Sequence, residues 1–325
     1  MKLLLQLSIS FAILFISLPS SHSCNSIEKN ALLQIKKSFN NPRELSTWNP
    51  RTDCCTDWNG VFCTNGRVTE LDILSGNLPG QIPDQIGDLV QLRHLEITDM
   101  PRLSGNIPRT ITKLKNLDLL MFRQTNLSGL IPDYISELKS VTFLDLAFNQ
   151  FTGPIPGSIS QMPKLETLRI NDNKLTGSVP DSFGYFVGNL TVLNLQNNKL
   201  SGKIPESLSK HDFIDVNLSG NRFIGDGSMF FGRNKRTELV DLSRNKFEFD
   251  LSKVKFAKSV AFLHLSQNRI FGKLPGELTK LPLDQFNVSY NRLCGKIPRG
   301  GFLQTFEPSA YSHNLCLCGD PLKPC

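Results

Sequence analysis

Eight cysteines are the most chemically committed residues in this sequence, and all lie near its ends: Cys24, Cys54, Cys55 and Cys63, then Cys294, Cys316, Cys318 and Cys325. Clustered thiols either ligate a soft metal or close disulfides. The Cys-Cys and Cys-x-Cys spacings do not match structural zinc sites, whereas even clusters at both ends read as disulfide-stapled caps of an exported chain. Neighbouring Cys54 and Cys55 each pair elsewhere, because bridge geometry disfavours adjacent partners. General acid–base catalysis is the other chemistry to seek. The histidines (His22, His94, His211, His264 and His313) are scattered, and no nucleophile elbow, H-E-x-x-H or phosphate-binding glycine loop is present. Carboxylates are plentiful enough to raise a glycosidase reading. They fall on a regular flat face with no enclosed pocket, so the expectation is a binding protein rather than an enzyme, with no cofactor and no metal.

The elements that position these residues are written as a repeat. LDLAFNQFTGPIP (144–156) begins like a half-buried strand and breaks at once into Asn, Gly and Pro. The phrase returns as LRINDNKLTGSVP (168–180), LNLQNNKLSGKIP (193–205), LHLSQNRIFGKLP (263–275) and FNVSYNRLCGKIP (286–298). Ten units start at 68, 92, 117, 141, 165, 190, 213, 237, 260 and 283, so the period is 23–25 residues. In each, L-x-L is one short strand whose leucines point inward, and stacking joins the strands into one parallel sheet. Asn149, Asn173, Asn198, Asn221, Asn245, Asn268 and Asn291 fall where the chain leaves the sheet. There a side-chain amide can satisfy buried backbone groups as a ladder. The glycine permits a backbone conformation closed to other residues, and Ile-Pro holds the return extended. Repeats 7 and 8 lack Ile-Pro (FIGDGSMFFGRNKRT, 223–237; FEFDLSKVKFAKS, 247–259), and repeat 1 has Gly76 at the Asn place.

The pattern L-x-x-L-x-L-x-x-N-x-L-x-G-x-I-P resembles the plant-type leucine-rich repeat over essentially all of 24–325. That resemblance implies an α/β solenoid: a right-handed leucine-rich-repeat superhelix with a parallel concave β-sheet, ten repeats, disulfide-capped at both ends. The domain expectations are a signal peptide at 1–23, an N-terminal disulfide cap at 24–67, repeats at 68–293, and the end of the last repeat with a C-terminal cap at 294–325. ALLQIKKSF (31–39) has helical periodicity within the first cap. The leader expectation rests on Lys2, the apolar run Leu3–Leu18, and Ser21 and Ser23 before a cut. In a secreted compartment the sequons at Asn126, Asn189, Asn217 and Asn287 are glycan acceptors. Nucleic acid is not expected as a partner despite a pI near 9.0 and a net charge of +7. Neither membrane insertion nor oligomerisation is expected.

Alternation along a strand turns the non-leucine positions to the concave solvent side. Eight acids fall there (Glu70, Asp72, Glu96, Asp99, Asp145, Asp172, Asp215, Asp241) against three bases (Arg123, Arg169, Arg244), a balance of 3 − 8 = −5. With Phe143, Phe148, Asn194, Gln196 and His264, this face is expected to grip a protein with a basic rim. The positive charge is expected on the convex side as a strip of Lys210, Arg233, Lys235, Arg236, Lys253, Lys255 and Lys258, where pectin is the candidate ligand.

Ten repeats between four-cysteine caps, with the tail NVSYNRLCGKIPRGG and NLCLCGDPLKPC, resemble the plant polygalacturonase-inhibiting proteins. The resemblance implies disulfides Cys24–Cys54, Cys55–Cys63, Cys294–Cys316 and Cys318–Cys325. It also implies a wall-located glycoprotein whose concave face blocks the substrate cleft of fungal polygalacturonase. Asp145 and Asp241 fit the acidic positions of that face; Asn217 and Arg169 depart from them. Relatives of this kind linked to flower development keep a protein-binding regulator open as an alternative. Ice binding needs a flat row of similar residues, which these charges and bulky groups oppose. A structural wall protein is the last alternative.

Overall fold

The computed structural model describes residues 23–325; the expected signal segment, apart from Ser23, lies outside them. Ten parallel strands, one per repeat, run from Arg67–Leu74 to Gln285–Asn287 in strict chain order, and Val61–Thr64 closes one edge antiparallel. Register is kept from coil to coil: Asp72, Glu96, Met121, Asp145, Arg169, Asn194, Asn217, Asp241, His264 and Asn287 lie side by side in one row. The leucines flanking each of these places are buried, as at Leu144 and Leu146. One continuous core therefore runs the length of the molecule, each coil burying its apolar side against its neighbours.

The asparagines form the ladder read from the sequence. Asn221 Nδ2 donates to the carbonyls of Leu195, Leu218 and Ser219, and its Oδ1 accepts from the Leu200 N–H at 3.0 Å. Each such side chain ties its own turn to the preceding coil and satisfies backbone groups at the bend. The ladder also runs one step past the tenth repeat: Asn314 bonds Val288, Tyr311 and Leu293 in the same way.

The return path differs from the extended segment anticipated. Pro156 is itself extended (φ −66°, ψ 123°), but a 3₁₀ turn, Gly157–Gln161, follows it, and most repeats do likewise. A proline fixes φ and lacks a donor, so it suits the residue before such a turn. Before it, the glycine at φ near 80° (Gly153, 75°) lets the chain pair briefly in a second set of short parallel strands, which the sequence did not announce. Where Ile-Pro is missing, the turn shrinks to Ser228–Phe230 and Leu251–Lys253, and phenylalanines such as Phe230 and Phe249 fill the space.

Four disulfides join Cys24–Cys54, Cys55–Cys63, Cys294–Cys316 and Cys318–Cys325, and no cysteine is free. The cap helix spans Ser26–Ser38, starting earlier than its apolar period suggested. Asn25 caps it by accepting from the Ile27 and Glu28 N–H groups. Buried Glu28 then bonds Arg67 at 2.7 Å and the Val68 N–H at 2.8 Å, which fastens the cap to the first repeat.

Candidate functional site: the solvent face of the long sheet

Side chains facing solvent from the long sheet form four rows. In the innermost row an Asp or Asn folds back on its own strand: Asp145, Asn217, Asp241 and Asn287 accept the N–H two residues on, from Ala147, Ser219, Ser243 and Ser289, at 2.9–3.1 Å. This is the Asx turn, and it serves the strand's exit toward the ladder asparagine. It corrects the reading of Asp145 and Asp241 as solvent-facing charges. Asp145 is wholly buried and Asp241 nearly so, because the backbone N–H draws each carboxylate down onto the sheet.

Arg123 lies against Asp145 at 3.5 Å, with its guanidinium 4.5 Å over the Phe148 ring. Arg169, one strand beyond Asp145, sits 5.3 Å over Phe143. Burial pushes the Asp145 carboxyl above the usual range, against the pull of the Ala147 N–H and the two arginines. Asp215 is raised for the same reason, opposed by Asn194, whose amide donates to it at 3.2 Å, and by Arg169. Toward the N-terminal end, Asp72 and Glu96 are raised by burial and then by neighbouring acids. Burial holds His264 below its ordinary value, with Asp241 opposing. Its ring lies against Phe262.

The outermost row was expected on this face, but its backbone conformation was not. One residue per coil, immediately before the ladder place, adopts the left-handed conformation: Ser75, Asp99, Gln124, Phe148, Asp172, Asn197, Arg244, Gln267, Tyr290 and His313 have φ between 53° and 58°. Asp, Asn and Gly tolerate it, and Asp172, Asn197 and Gly220 were the available signal. Phe148 and Tyr290 do not suit it, yet stand 40% and 50% exposed. Asp172 accepts from Asn197, which in turn accepts from Arg244 across the bare Gly220. The Gln196 amide oxygen is buried without a partner among the described residues. The residues expected on the sheet face thus lie together on it, with the charges of Asp145 and Asp241 withdrawn from solvent.

The basic strip is largely neutralised, which corrects its expected availability. Arg236 pairs with Asp212, Arg233 and Lys255 with Glu277, and Lys253 with Asp250. The Lys235 ammonium caps the carbonyls of Ser209 and His211, and burial lowers its pKa. Lys210 lies over Tyr185, and neither it nor Lys258 has a carboxylate partner among the described residues. A more open row went unnoticed. Lys174, Lys199, Arg222, Lys246, Arg269 and Arg292 each follow a ladder asparagine, one per coil in six successive coils, and all are exposed. Only Arg292 meets an acid, Glu248 at 3.6 Å, among the described residues. Reading the residue after Asn down the repeats would have found it.

Of the sequons, Asn126 and Asn189 are exposed, whereas Asn217 and Asn287 are half-buried on the sheet face and bonded to their own serines. Cys24, Cys54 and Cys55 are near enough to suggest a metal site, but all three are in disulfides. No helix of the described residues is long and apolar enough to cross a membrane.

The leucine rich repeat N-terminal domain model matches residues 25–64, and the leucine rich repeat model matches 140–162, 164–186 and 189–211. The chain is 70% identical over the whole of both chains to leucine-rich repeat protein FLOR 1 of Arabidopsis thaliana. It is 59% identical to polygalacturonase inhibitor 1 of the same plant, covering 94% of each. Among solved structures, a plant ice-binding protein superimposes with a TM-score of 0.91 at 45% identity, covering 93% of this chain and 98% of the other.

Proposed function

The chain belongs to the polygalacturonase-inhibitor family of leucine-rich repeat proteins, and we propose that it is a secreted wall protein that binds and inhibits microbial endopolygalacturonases. It is a binding protein, not an enzyme. The observation that carries the reading is the sheet face itself, where exposed Phe148 and half-buried Phe143 lie beside arginines and acids in a rigid, register-locked array. Rings and guanidiniums of this kind supply the anchors of protein interfaces. By covering the substrate cleft, the face blocks access of the polymer. Four disulfides suit an oxidising compartment, and Asn126 and Asn189 are its most accessible glycan acceptors.

Pectin is the second ligand of this reading. The open row from Lys174 to Arg292 offers one cation per coil, about 5 Å apart, to a linear polyanion; Lys210 and Lys258 can add to it from the convex side. Titration of the purified protein into several fungal endopolygalacturonases, with residual activity as the readout, tests inhibition. A dose-dependent fall for at least one enzyme is expected, and no effect across a broad panel would overturn it. That outcome favours the second reading, a protein-binding regulator of flower development, which draws on the higher identity to FLOR 1 than to the inhibitors.

A further inference from the structure

Charge on the sheet face changes sign along the solenoid. Repeats 1 and 2 present Glu70, Asp72, Glu96 and Asp99. Repeats 3 and 5 present Arg123 and Arg169, and acids return with Asp172, Asp215 and Asp241, which outnumber the one further arginine, Arg244. Asp145 is wholly buried beneath Arg123 and offsets one of the two cations, so the centre keeps a net positive charge, with Arg169 as its open cation. Each guanidinium lies over a ring, which holds the plane while leaving N–H edges open, and the buried Arg169 Nε has no partner among the described residues. The strand of repeat 4 alone separates the two arginines, so their strands are about 10 Å apart.

We propose that this acid–cation–acid order is the complement of a cleft that cuts an anionic polysaccharide, with Arg123 and Arg169 seated on its catalytic carboxylates. Glycoside hydrolases of most families place two carboxyl groups about 5–10 Å apart at the scissile bond. A cleft that also holds a polymer of uronic acids carries cations on either side, where the polymer's carboxylates bind. An inhibitor filling such a cleft meets cation, carboxylates, cation in that order. The acidic ends of the sheet face then stand in for substrate carboxylates, and the central arginines neutralise the catalytic pair. This rests on the inhibitor reading above and adds which charges meet.

The test is direct binding of a fungal polygalacturonase, measured by calorimetry, to the unaltered protein and to Arg169→Gln and Arg123→Gln/Asp145→Asn. The double change removes the buried acid with its partner, so the fold is kept, and thermal unfolding checks this. Each is measured against the active enzyme and against the enzyme with its catalytic carboxyls converted to amides. The expected result is at least a tenfold loss against the active enzyme and little or no loss against the amide form. Equal losses against both enzymes, or unaltered binding with inhibition intact, would overturn the proposal and leave the inhibitor reading standing. No binding of any polygalacturonase by the unaltered protein would sink both.

Discussion

Phe148 bears two opposing demands. Its backbone sits at φ 58°, a region that costs a non-glycine residue about 1–2 kcal/mol and that Asn accepts more readily. Its ring is 40% exposed and lies under Arg123. Folding alone gains little from a phenylalanine here, so an interface role accounts for it better. Phe148→Asn is therefore expected to raise unfolding stability by about 1 kcal/mol while weakening polygalacturonase inhibition several-fold. Denaturant titration and inhibition assays read the two separately, and a loss of both would mean that the ring is structural. Asp145 teaches the converse: the sequence placed it on the right face, but the Ala147 N–H and the Arg123 guanidinium took its charge out of solvent.

The asparagine ladder is the unit of element-level stability. Asn221 makes four bonds to backbone groups of two coils, and removing it strands the buried Leu200 N–H and thins the satisfaction of three carbonyls. Such a loss costs about 1–3 kcal/mol, so Asn221→Ala is expected to lower the urea midpoint clearly. Hydrogen exchange should quicken first at Leu200 and its neighbours. A change below 0.5 kcal/mol, the scale of an ordinary surface substitution, would show that water replaces the amide. The ladder was legible because Asn recurs at one place in seven units. Its extension to Asn314 was not, because Tyr311 replaces the expected leucine and the cap sequence departs from the period.

Across the whole molecule the open cation row follows each ladder asparagine and the sheet face precedes it, so the two proposed ligands use different residues of each coil. Replacing Lys199, Arg222 and Lys246 together by Gln is expected to cut retention on de-esterified pectin more than tenfold at low salt. It should leave enzyme inhibition within twofold of the unaltered protein. Since several cations act together, retention should also fall steeply with ionic strength. Replacing Lys253, Lys255 and Arg236, which are already paired with acids, should matter far less; the opposite ranking would return the site to the convex strip.

The repeat period by itself determined the coil, the single core, the row of solvent-facing places and the bonding task of each asparagine. All of these follow from local spacing: alternation in a strand, one amide per bend, one glycine per return. What only the tertiary structure decided is which of those charges remain available. Availability depends on neighbours one or two coils away, some 22–47 residues distant in sequence: Arg123 over Asp145, Arg244 reaching Asn197, Glu277 between Arg233 and Lys255. Burial and ion pairing are properties of the stacked coils, so a count of acids and bases along one repeat could place the face without giving its sign at the centre.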